Sequence, residues 1–393
     1  MTTVIYGGSF TPPHLGHVSA AQSVYEALRP DRFLIIPTNI APHKAAAGGS
    51  PDAAARLQMC RLAFAGIPGA EVSPMEMERE GKSYTADTIG ILREKYPEDE
   101  LYLVVGTDMF LSFREWHEYK YLLDNCTLAV LSRETDDRGE ILSFKRSLEN
   151  EDGARIRLIE HEPLPMSSAE IRAMLPKAGG AELLDDGVYS LIIKNRWYAA
   201  KPELRWLREK VRPYLTEKRA RHVAGCEEQA VKLARRWGAD VYEAAEAGIL
   251  HDITKKLSDE EQLIMCDKYG IILDAAERRN PRILHARTGA ALARELFRIP
   301  DGIYSAIRWH TTGKPDMSLM EKIIYLADFT EPTRDFEGVE PLRKLCFEDI
   351  DRAMELGLRM SLEEIRSRGE DAYKDTVDAY QWYKKEQGGS ATC

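Results

Sequence analysis

A change of pattern near residue 200 constrains the fold of this 393-residue chain more than any other feature of its sequence. Before it, short apolar runs that suit strands buried on both faces alternate with segments of helical periodicity. After it, the strand-like runs stop and amphipathic helical spacing takes over. The sequence therefore predicts an α/β doubly wound parallel sheet followed by an all-α domain, divided into residues 1–198 and 199–393.

The predicted elements follow from these patterns and from the glycines and prolines that interrupt them. The strands are predicted over residues 3–6, 32–36, 101–105, 127–131 and 155–159, with helices between them that include 51–65 and 84–96. In the second half, helices are predicted over residues 203–215, 219–237, 241–257, 258–268, 286–298, 300–310, 318–329 and 347–366.

Composition excludes some classes of partner. The net charge of −10 argues against broad nucleic-acid binding, because phosphate contacts need clustered Lys and Arg. The six cysteines form no C-x-x-C pair and are interpreted as reduced thiols. The sequence shows neither a signal-peptide pattern nor an apolar run of membrane-spanning length. We therefore expect a cytoplasmic protein with no nucleic-acid or membrane partner; its oligomeric state stays open, a homo-oligomer being one alternative.

A glycine-rich turn follows the first predicted strand, and it reads GGSFTPPHLGH from Gly7 to His17. Its two leading glycines let the backbone turn sharply and approach a ligand closely. His14 and His17 share one face in the first turn of the next helix, where N–H groups and the helix dipole attract phosphate. A capping turn with two surface histidines is the alternative, but the strand, glycines and helix together favour a nucleotide-phosphate site.

The first half resembles the nucleotidyltransferase superfamily that carries an H-x-G-H motif, found here at His14-Leu15-Gly16-His17. That motif alone also fits pantetheine-phosphate or cytidylyl transfer. Further motifs narrow the resemblance to bacterial nicotinate-nucleotide adenylyltransferases over residues 1–195: Ala41-Pro42-His43-Lys44, GKSYTADT from Gly81, Gly106-Thr107-Asp108, Trp116-His117 and MSSAEIR from Met166. Thr11 departs from the family, which more often has Asp or Asn there, although threonine can also cap a helix.

This resemblance implies transfer of AMP from ATP, accompanied by Mg²⁺, to nicotinate mononucleotide, giving deamido-NAD and pyrophosphate in NAD biosynthesis. No enzyme nucleophile is needed, because the mononucleotide phosphate attacks the α-phosphorus of ATP directly and catalysis consists of positioning and charge stabilisation. The implied catalytic residues are His14, His17, Lys44 and Arg172. The implied substrate-binding residues are Gly7, Gly8, Ser9, Phe10, Tyr84, Thr85, Asp108, Trp116, Ser167 and Ser168.

Some of these residues have a structural alternative. Ser167 and Ser168 also fit a plain helix cap, with Glu170 close to the third helical position. Trp116 fits a core aromatic as well as a contact to the nicotinate ring. Asp108 is a candidate for contacting the nucleotide or its Mg²⁺.

Histidine and aspartate side chains recur through the helical half in the order H, HD, H, H, D. They are His222, His251, Asp252, His285, His310 and Asp328. Imidazole and carboxylate are natural ligands of borderline divalent metals. We predict that these residues lie on helices at the edges of apolar stripes and point inward, where an unpaired charge would be costly. The sequence thus predicts a metal site in which Asp252 can bridge two ions.

This order resembles the HD-domain metal phosphohydrolases, and His285 and His310 match the subset that holds two metals. Longer motifs are similar to bacterial HD hydrolases that cleave diadenosine tetraphosphate symmetrically to two ADP: Leu250-His251-Asp252, His310-Thr311-Thr312-Gly313, and Tyr325 to Asp328 with Glu331-Pro332 and Arg334. The resemblance covers residues 203–380. It implies two divalent ions, with iron favoured, and Asp252 as a catalytic ligand. Lys255 or Lys256, Arg294 and Arg334 are candidates for contacting the polyphosphate.

The leading interpretation is a bifunctional enzyme that acts on ATP and nicotinate mononucleotide in its first domain and on diadenosine tetraphosphate in its second. One alternative gives the HD domain another substrate: a nucleotide monophosphate, a cyclic dinucleotide or a hyperphosphorylated guanosine nucleotide. Another makes the HD domain a nucleotide-binding regulatory module without turnover. The presence of all six expected ligands favours catalysis.

Overall fold

The computed structural model describes residues 1–39, 51–79, 81–132, 138–274, 277–278 and 280–389. The chain divides into two compact units, Met1–Lys201 and Pro202–Cys393. The motif that contains Lys44 lies outside the described residues. Among the residues that are described, no helix is both long and apolar enough to cross a membrane.

The first unit is built on a six-stranded parallel sheet. Its strands are β1 (Thr2–Gly8), β2 (Arg32–Pro37), β3 (Ala70–Val72), β4 (Glu100–Gly106), β5 (Thr127–Ser132) and β6 (Ile156–Glu160). Their order is β3-β2-β1-β4-β5-β6, and every neighbouring pair is parallel. The chain thus places β2 and β3 on one side of β1 and then β4, β5 and β6 on the other side. This reversal creates a topological switch point between β1 and β4.

Helices follow the strands in alternation. They are α1 (Leu15–Leu28), α2 (Ala53–Ala63), α3 (Thr85–Lys95), α4 (Thr107–Leu111), α5 (Tyr119–Asn125), α6 (Arg138–Asp152), α7 (Ser168–Met174) and α8 (Asp186–Asn195). One face of the sheet buries Ile5, Leu103 and Val130 in a core shared with Ile89 of α3 and Leu122 of α5. The predicted doubly wound α/β class is confirmed. Strand β3 was not predicted.

The second unit is built from helices and has no strand within its described residues, as predicted. Its helices are α9 (Leu204–Val211), α10 (Glu217–Trp237), α11 (Val241–Leu250), α12 (Asp259–Lys268), α13 (Leu284–Phe297), α14 (Asp301–Trp309), α15 (Leu319–Thr330), α16 (Val339–Glu348), α17 (Ile350–Ser367) and α18 (Lys374–Gly389). Helix α10 packs against α11 and α15. Gly248 permits the close packing of α11 on α10, since a Cβ at this position would lie 2.8 Å from the Cα of Glu227.

Two predictions for this half were wrong. The helix predicted over residues 241–257 ends at Leu250, and successive turns follow, with Lys255 N–H donating to Asp252 O at 2.9 Å. Thr254 holds these turns by donating its hydroxyl to His285 O at 2.9 Å. His251 and Asp252 therefore lie in a turn, and His310 lies just beyond α14, so the predicted metal ligands are not all on helices. Helices α16 and α18 were not predicted.

Candidate active sites

The Gly7–His17 turn lies at the carboxyl edge of the sheet, beside the switch point between β1 and β4. Ligands bind at such points in doubly wound sheets. Gly8 is required in the turn, because a Cβ there would lie 2.8 Å from the ring of Phe10. Asp108 is exposed in the first turn of α4, which follows β4 directly. The predicted residues from Gly7 to Phe10, together with Asp108, therefore lie at the carboxyl ends of the two strands that flank the switch point.

The two histidines of the turn differ in their hydrogen bonds. His14 is the N-cap of α1, and its backbone N–H donates to His17 Nδ1 at 3.2 Å. A neutral His17 ring therefore carries its proton on Nε2. The two rings lie 3.7 Å apart between centroids. Both imidazoles are thus placed at a helix N-terminus, the end that attracts phosphate.

The His14 side chain is buried, with 6% of its surface exposed. Its Nδ1 makes no hydrogen bond within the described part of the chain. Burial lowers the pKa of His14 to about 4, so the ring is uncharged at neutral pH. Buried polar atoms are normally hydrogen-bonded. An unpaired ring nitrogen beside helix N–H groups is suited to receive a phosphate group.

The Met166–Arg172 motif contacts the same turn. Ser168 Oγ donates to Pro12 O at 2.9 Å, and Arg172 Nη1 donates to Thr11 O at 2.7 Å. Ser167 caps α7 by accepting the N–H of Glu170 at 3.2 Å. The structure thus brings Ser168 and Arg172 against the H-x-G-H turn, while the contacts of Ser167 are those of a helix cap.

Aromatic side chains lie at the start of α3. Tyr84 is the N-cap of this helix, Thr85 is its first residue, and the Tyr84 ring lies 4.4 Å from that of His117 between centroids. Trp116 packs against Phe113 and the core, with 5.0 Å between ring centroids. Its Nε1 is nevertheless buried without a hydrogen-bond partner among the described residues. Trp116 therefore combines a core contact with a donor that a ligand could accept. His117 was named in a motif, but no role was predicted for it.

The six predicted metal ligands lie together in the second unit. In one half of the cluster, His222 Nε2 is 3.3 Å from His251 Nε2 and 3.0 Å from Asp328 Oδ1. Asp252 Oδ2 lies 3.6 Å from His222 Nε2 and 3.4 Å from His251 Nε2. His222, His251 and Asp328 could hold a metal ion, and a second such group joins His251 and Asp252 to His310. The first three residues and Asp252 form one half of the cluster. We call them the His222 half.

The other half of the cluster contains His285 and His310, whose Nε2 atoms are 3.3 Å apart. Asp252 Oδ1 lies 3.4 Å from His285 Nε2 and 3.7 Å from His310 Nε2. We call this the His285 half. Asp252 thus directs one carboxylate oxygen to each half, the arrangement that a bridging ligand requires.

All four histidines present Nε2 to the cluster because Nδ1 has another partner. The Nδ1 distances are 2.8 Å from His251 to Gly248 O, 2.7 Å from His285 to Arg282 O, 2.7 Å from His310 to Ile307 O, and 3.0 Å from His222 to Glu331 Oε1. An Nδ1–H donated to oxygen leaves the Nε2 lone pair available to a metal and fixes the orientation of the ring.

Both aspartates of the cluster favour the charged form that metals bind. Burial opposes ionisation of Asp252, but the neighbouring histidines, His251 foremost, hold the pKa of its carboxyl well below the ordinary value. Burial likewise opposes ionisation of Asp328, and the hydrogen bond from His222 with the charge of Arg334 holds its pKa well below the ordinary value. The donor set of imidazoles and carboxylates therefore fits divalent metal ions.

Three cationic side chains surround the cluster. Lys255 Nζ lies 3.3 Å from His285 Nε2, Arg334 Nη2 lies 2.6 Å from Asp328 Oδ1, and Arg219 Nη1 lies 2.7 Å from Asp252 Oδ2. Lys255 and Arg334 were candidates from the sequence. Arg219 was missed. Glu331 and Thr311 were named only as parts of motifs and were given no role, although the Thr311 hydroxyl lies 3.3 Å from His285 Nε2.

Two other candidate cations have different surroundings. Lys256 is exposed, so Lys255 is the lysine of this pair that faces the cluster. Arg294 pairs with Asp301 at 2.6 Å and stacks on Tyr304 at 3.7 Å from the ring centroid. These contacts do not bring Arg294 to the cluster.

The switch-point turn and the histidine cluster together define a nucleotidyltransferase-type unit joined to an HD-type unit. Residues 5–174 match the cytidylyltransferase-like family, and residues 219–333 match the HD domain family. The chain belongs to the nicotinate-nucleotide adenylyltransferase family through its first part and to the symmetrical bis(5'-nucleosyl)-tetraphosphatase family through its second.

Curated relatives support each membership. A probable nicotinate-nucleotide adenylyltransferase of Pelobacter propionicus is 39% identical over 184 residues, covering 43% of this chain and 85% of that protein. The symmetrical bis(5'-nucleosyl)-tetraphosphatase of Bacillus subtilis is 38% identical over 176 residues, covering 44% of this chain and 92% of that protein.

A crystal structure from Clostridium acetobutylicum, described as a predicted HD superfamily hydrolase involved in NAD metabolism, is 35% identical to this chain. It covers 46% of this chain and 96% of that chain, and it has a TM-score of 0.45.

Proposed function

We propose that the first unit transfers AMP from ATP to nicotinate mononucleotide, giving deamido-NAD and pyrophosphate. The observation that carries this proposal is the meeting of the H-x-G-H turn with the Ser168–Arg172 segment at the switch point of the sheet. The similarity to the Pelobacter propionicus relative supports the same acceptor.

The reaction is an in-line substitution at the α-phosphorus of ATP. An oxygen of the mononucleotide phosphate forms the new bond to this phosphorus, and the bond to the β-phosphate oxygen breaks as pyrophosphate leaves. Mg²⁺ enters with ATP as part of the substrate. His14 and His17 act as hydrogen-bond donors to phosphoryl oxygens, and Arg172 and Lys44 neutralise the leaving group. The neutral state of His14 is suited to donation without a proton transfer.

The acceptor should be nicotinate rather than nicotinamide mononucleotide. The nicotinate carboxylate only accepts hydrogen bonds, and it lies in our proposal near the N-terminal N–H groups of α3, beside Tyr84 and Trp116. An amide would turn its own N–H₂ group toward one of these donors. We expect kcat/KM to favour nicotinate mononucleotide by about 10²-fold or more, measured by nucleotide chromatography with the full-length chain. Equal or better turnover of nicotinamide mononucleotide would contradict the assignment.

We further propose that the second unit hydrolyses diadenosine tetraphosphate symmetrically to two ADP at a dinuclear metal site. The observation that carries this proposal is the position of Asp252, which directs one oxygen to the His222 half and one to the His285 half. Asp328 completes the first half. Similarity to the Bacillus subtilis relative supports the substrate.

The residues of the cluster would hold one divalent ion in each half, with iron as our favoured metal. Bound there, two divalent ions supply Lewis acidity that activates water and stabilises charge on phosphate oxygens. Lys255, Arg334 and Arg219 neutralise the rest of the polyphosphate charge from the rim of the cluster. Water adds to one of the two phosphorus atoms beside the central bridging oxygen. The bond from this phosphorus to the central oxygen breaks, so each product keeps two phosphates.

Symmetric, metal-dependent hydrolysis predicts a single nucleotide product. The full-length chain should convert diadenosine tetraphosphate to ADP alone. In ¹⁸O-labelled water, one label should enter the terminal phosphate of one ADP per turnover. A chelator should abolish hydrolysis, and Fe²⁺ should restore it, while the adenylyl transfer assay with added Mg²⁺ proceeds. Chromatography and mass spectrometry measure both outcomes.

The same assay separates the alternatives. Products of AMP plus ATP would refute symmetric cleavage. The substrate assignment would change if another nucleotide were turned over faster than diadenosine tetraphosphate. The nucleotides to compare are a nucleotide monophosphate, a cyclic dinucleotide and a hyperphosphorylated guanosine nucleotide. A folded chain that binds these nucleotides but turns none of them over would leave the regulatory-module alternative.

A further inference from the structure

His222 differs from the other three histidines of the cluster in the partner of its Nδ1 atom. His251, His285 and His310 each face a backbone carbonyl, whereas His222 Nδ1 lies 3.0 Å from the carboxylate of Glu331. A carboxylate acceptor makes an imidazole a stronger metal ligand and orients it more firmly than a neutral acceptor does. The two halves of the cluster are therefore chemically unequal.

Glu331 is completely buried, with 0% of its surface exposed, and its carboxylate is held in place. The backbone N–H of Thr333 donates to Glu331 Oε2 at 2.7 Å, and the Thr333 hydroxyl donates to Oε1. Glu331 directly follows α15, the helix that carries Asp328. It thus links Asp328 and His222, two ligands of the same half.

Gly225 provides the space for this carboxylate. It lies inside α10, three residues after His222, and a Cβ at this position would overlap Glu331 Oε2. Glycine inside a helix is less favourable than alanine, because it gains no side-chain contacts and loses more backbone freedom on folding. The close approach of the Glu331 carboxylate gives a physical reason for glycine at this position.

The charges around the two halves differ in the same sense. The His222 half contains Asp328 as well as the shared Asp252, and Glu331 lies behind it. Arg334 and Arg219 pair with the two aspartates, so two cations offset two of these three carboxylates. Among the described contacts, the only carboxylate of the His285 half is Asp252, and Lys255 Nζ lies 3.3 Å from His285 Nε2. A divalent cation is therefore favoured in the His222 half.

We propose that Glu331 is a positioning residue for His222 and makes the His222 half the tighter of two unequal metal sites. The inference rests on the dinuclear site proposed above and adds an order of binding to it. The ion of the His222 half binds first and stays. The ion of the His285 half, beside Lys255, exchanges more readily.

The test is a Co²⁺ titration of the metal-free full-length chain, followed by the visible absorption of bound Co²⁺ and by competition with a chelator. The unmodified chain should bind two ions in two steps. In Glu331→Gln, which keeps the size of the side chain, the tight step should weaken by about 10- to 100-fold, and the weak step should change little. Excess Co²⁺ should then restore hydrolysis.

A second variant and a matched control guard against misfolding. Gly225→Ala should reproduce the weakened tight step, because its methyl group displaces the Glu331 carboxylate while leaving every ligand in place. Glu321→Gln removes another buried carboxylate from α15, one that accepts the Ser318 N–H at 2.6 Å and pairs with Lys314 at 3.0 Å. This control should bind both ions as the unmodified chain does.

Several results would overturn the inference. Unchanged Co²⁺ affinities in Glu331→Gln would remove its positioning role. Equal weakening of both steps would make the effect general rather than local to the His222 half. An unmodified chain that binds one ion or none would overturn the dinuclear site itself, an outcome recognised before any variant is compared.

Discussion

Asp252→Ala should abolish hydrolysis of diadenosine tetraphosphate, lowering its rate by about 10³-fold or more. Asp252 is the one residue of the cluster with an oxygen near the ligands of both halves, at 3.4 Å from His251 Nε2 and from His285 Nε2. Its removal leaves four imidazoles and Arg219 without the shared negative charge. Both metal ions should therefore be lost together. Metal content and product chromatography on the same sample measure the two effects.

Two comparisons make this result specific. Asp252→Asn keeps the shape of the side chain, and it should still lose the bridging function. Asp328→Asn removes a carboxylate from the His222 half alone, so an ion bound in the His285 half should remain detectable. Deamido-NAD synthesis should survive all three changes, because these residues lie in a separate compact unit. Retained hydrolysis in Asp252→Ala would exclude Asp252 as the bridge.

The order of histidines and aspartates predicted which residues meet, but not how they divide between the two halves of the cluster. The halves are defined by distances such as 3.0 Å from His222 Nε2 to Asp328 Oδ1, and these depend on the packing of α10 against α15. Periodicity also misplaced His251 and Asp252 on a helix. The turn that carries them is held by Thr254, whose hydroxyl contacts the distant residue His285.

Arg219 was not recognised from local sequence, and Glu331 was recognised only as part of a motif, without its contact to His222. Arg219 lies in a charged segment typical of an exposed helix surface, and its contact with Asp252 spans 33 residues. The contact of Glu331 with His222 spans 109 residues. A contact formed only by folding leaves no local pattern, so the role of a residue that acts through a partner cannot be predicted from the sequence.

The first unit shows the same limit in its sheet. The apolar runs predicted the five longer strands. Strands β1, β2, β4 and β5 are largely buried, as strands inside a parallel sheet are, and the edge strand β6 buries only Ile159. Strand β3 has three residues, Ala70–Val72, and Glu71 within it is exposed. It is recognised by its pairing with Phe33, Leu34 and Ile35 of β2. An edge strand this short has no periodicity of its own.

His17→Ala should lower the kcat of adenylyl transfer by about 10²-fold or more, the effect of losing one preorganised donor to phosphoryl oxygens. The backbone N–H of His14 fixes the His17 ring through Nδ1 at 3.2 Å, so its proton is on Nε2 and the donor is oriented before substrate binds. Charge on these oxygens grows as pyrophosphate leaves. The KM for ATP should therefore change much less than kcat.

A second histidine of the same unit provides the control for His17→Ala. His161 lies just after β6, with Nδ1 3.1 Å from Ser23 Oγ, outside the H-x-G-H turn. His161→Ala should retain adenylyl transfer, and neither variant should alter hydrolysis of diadenosine tetraphosphate. Near-normal kcat in His17→Ala would remove this imidazole from the mechanism and leave charge stabilisation to His14, Arg172 and the helix N-terminus. A rise in KM for ATP with unchanged kcat would instead mean that His17 holds the triphosphate equally in the ground and transition states.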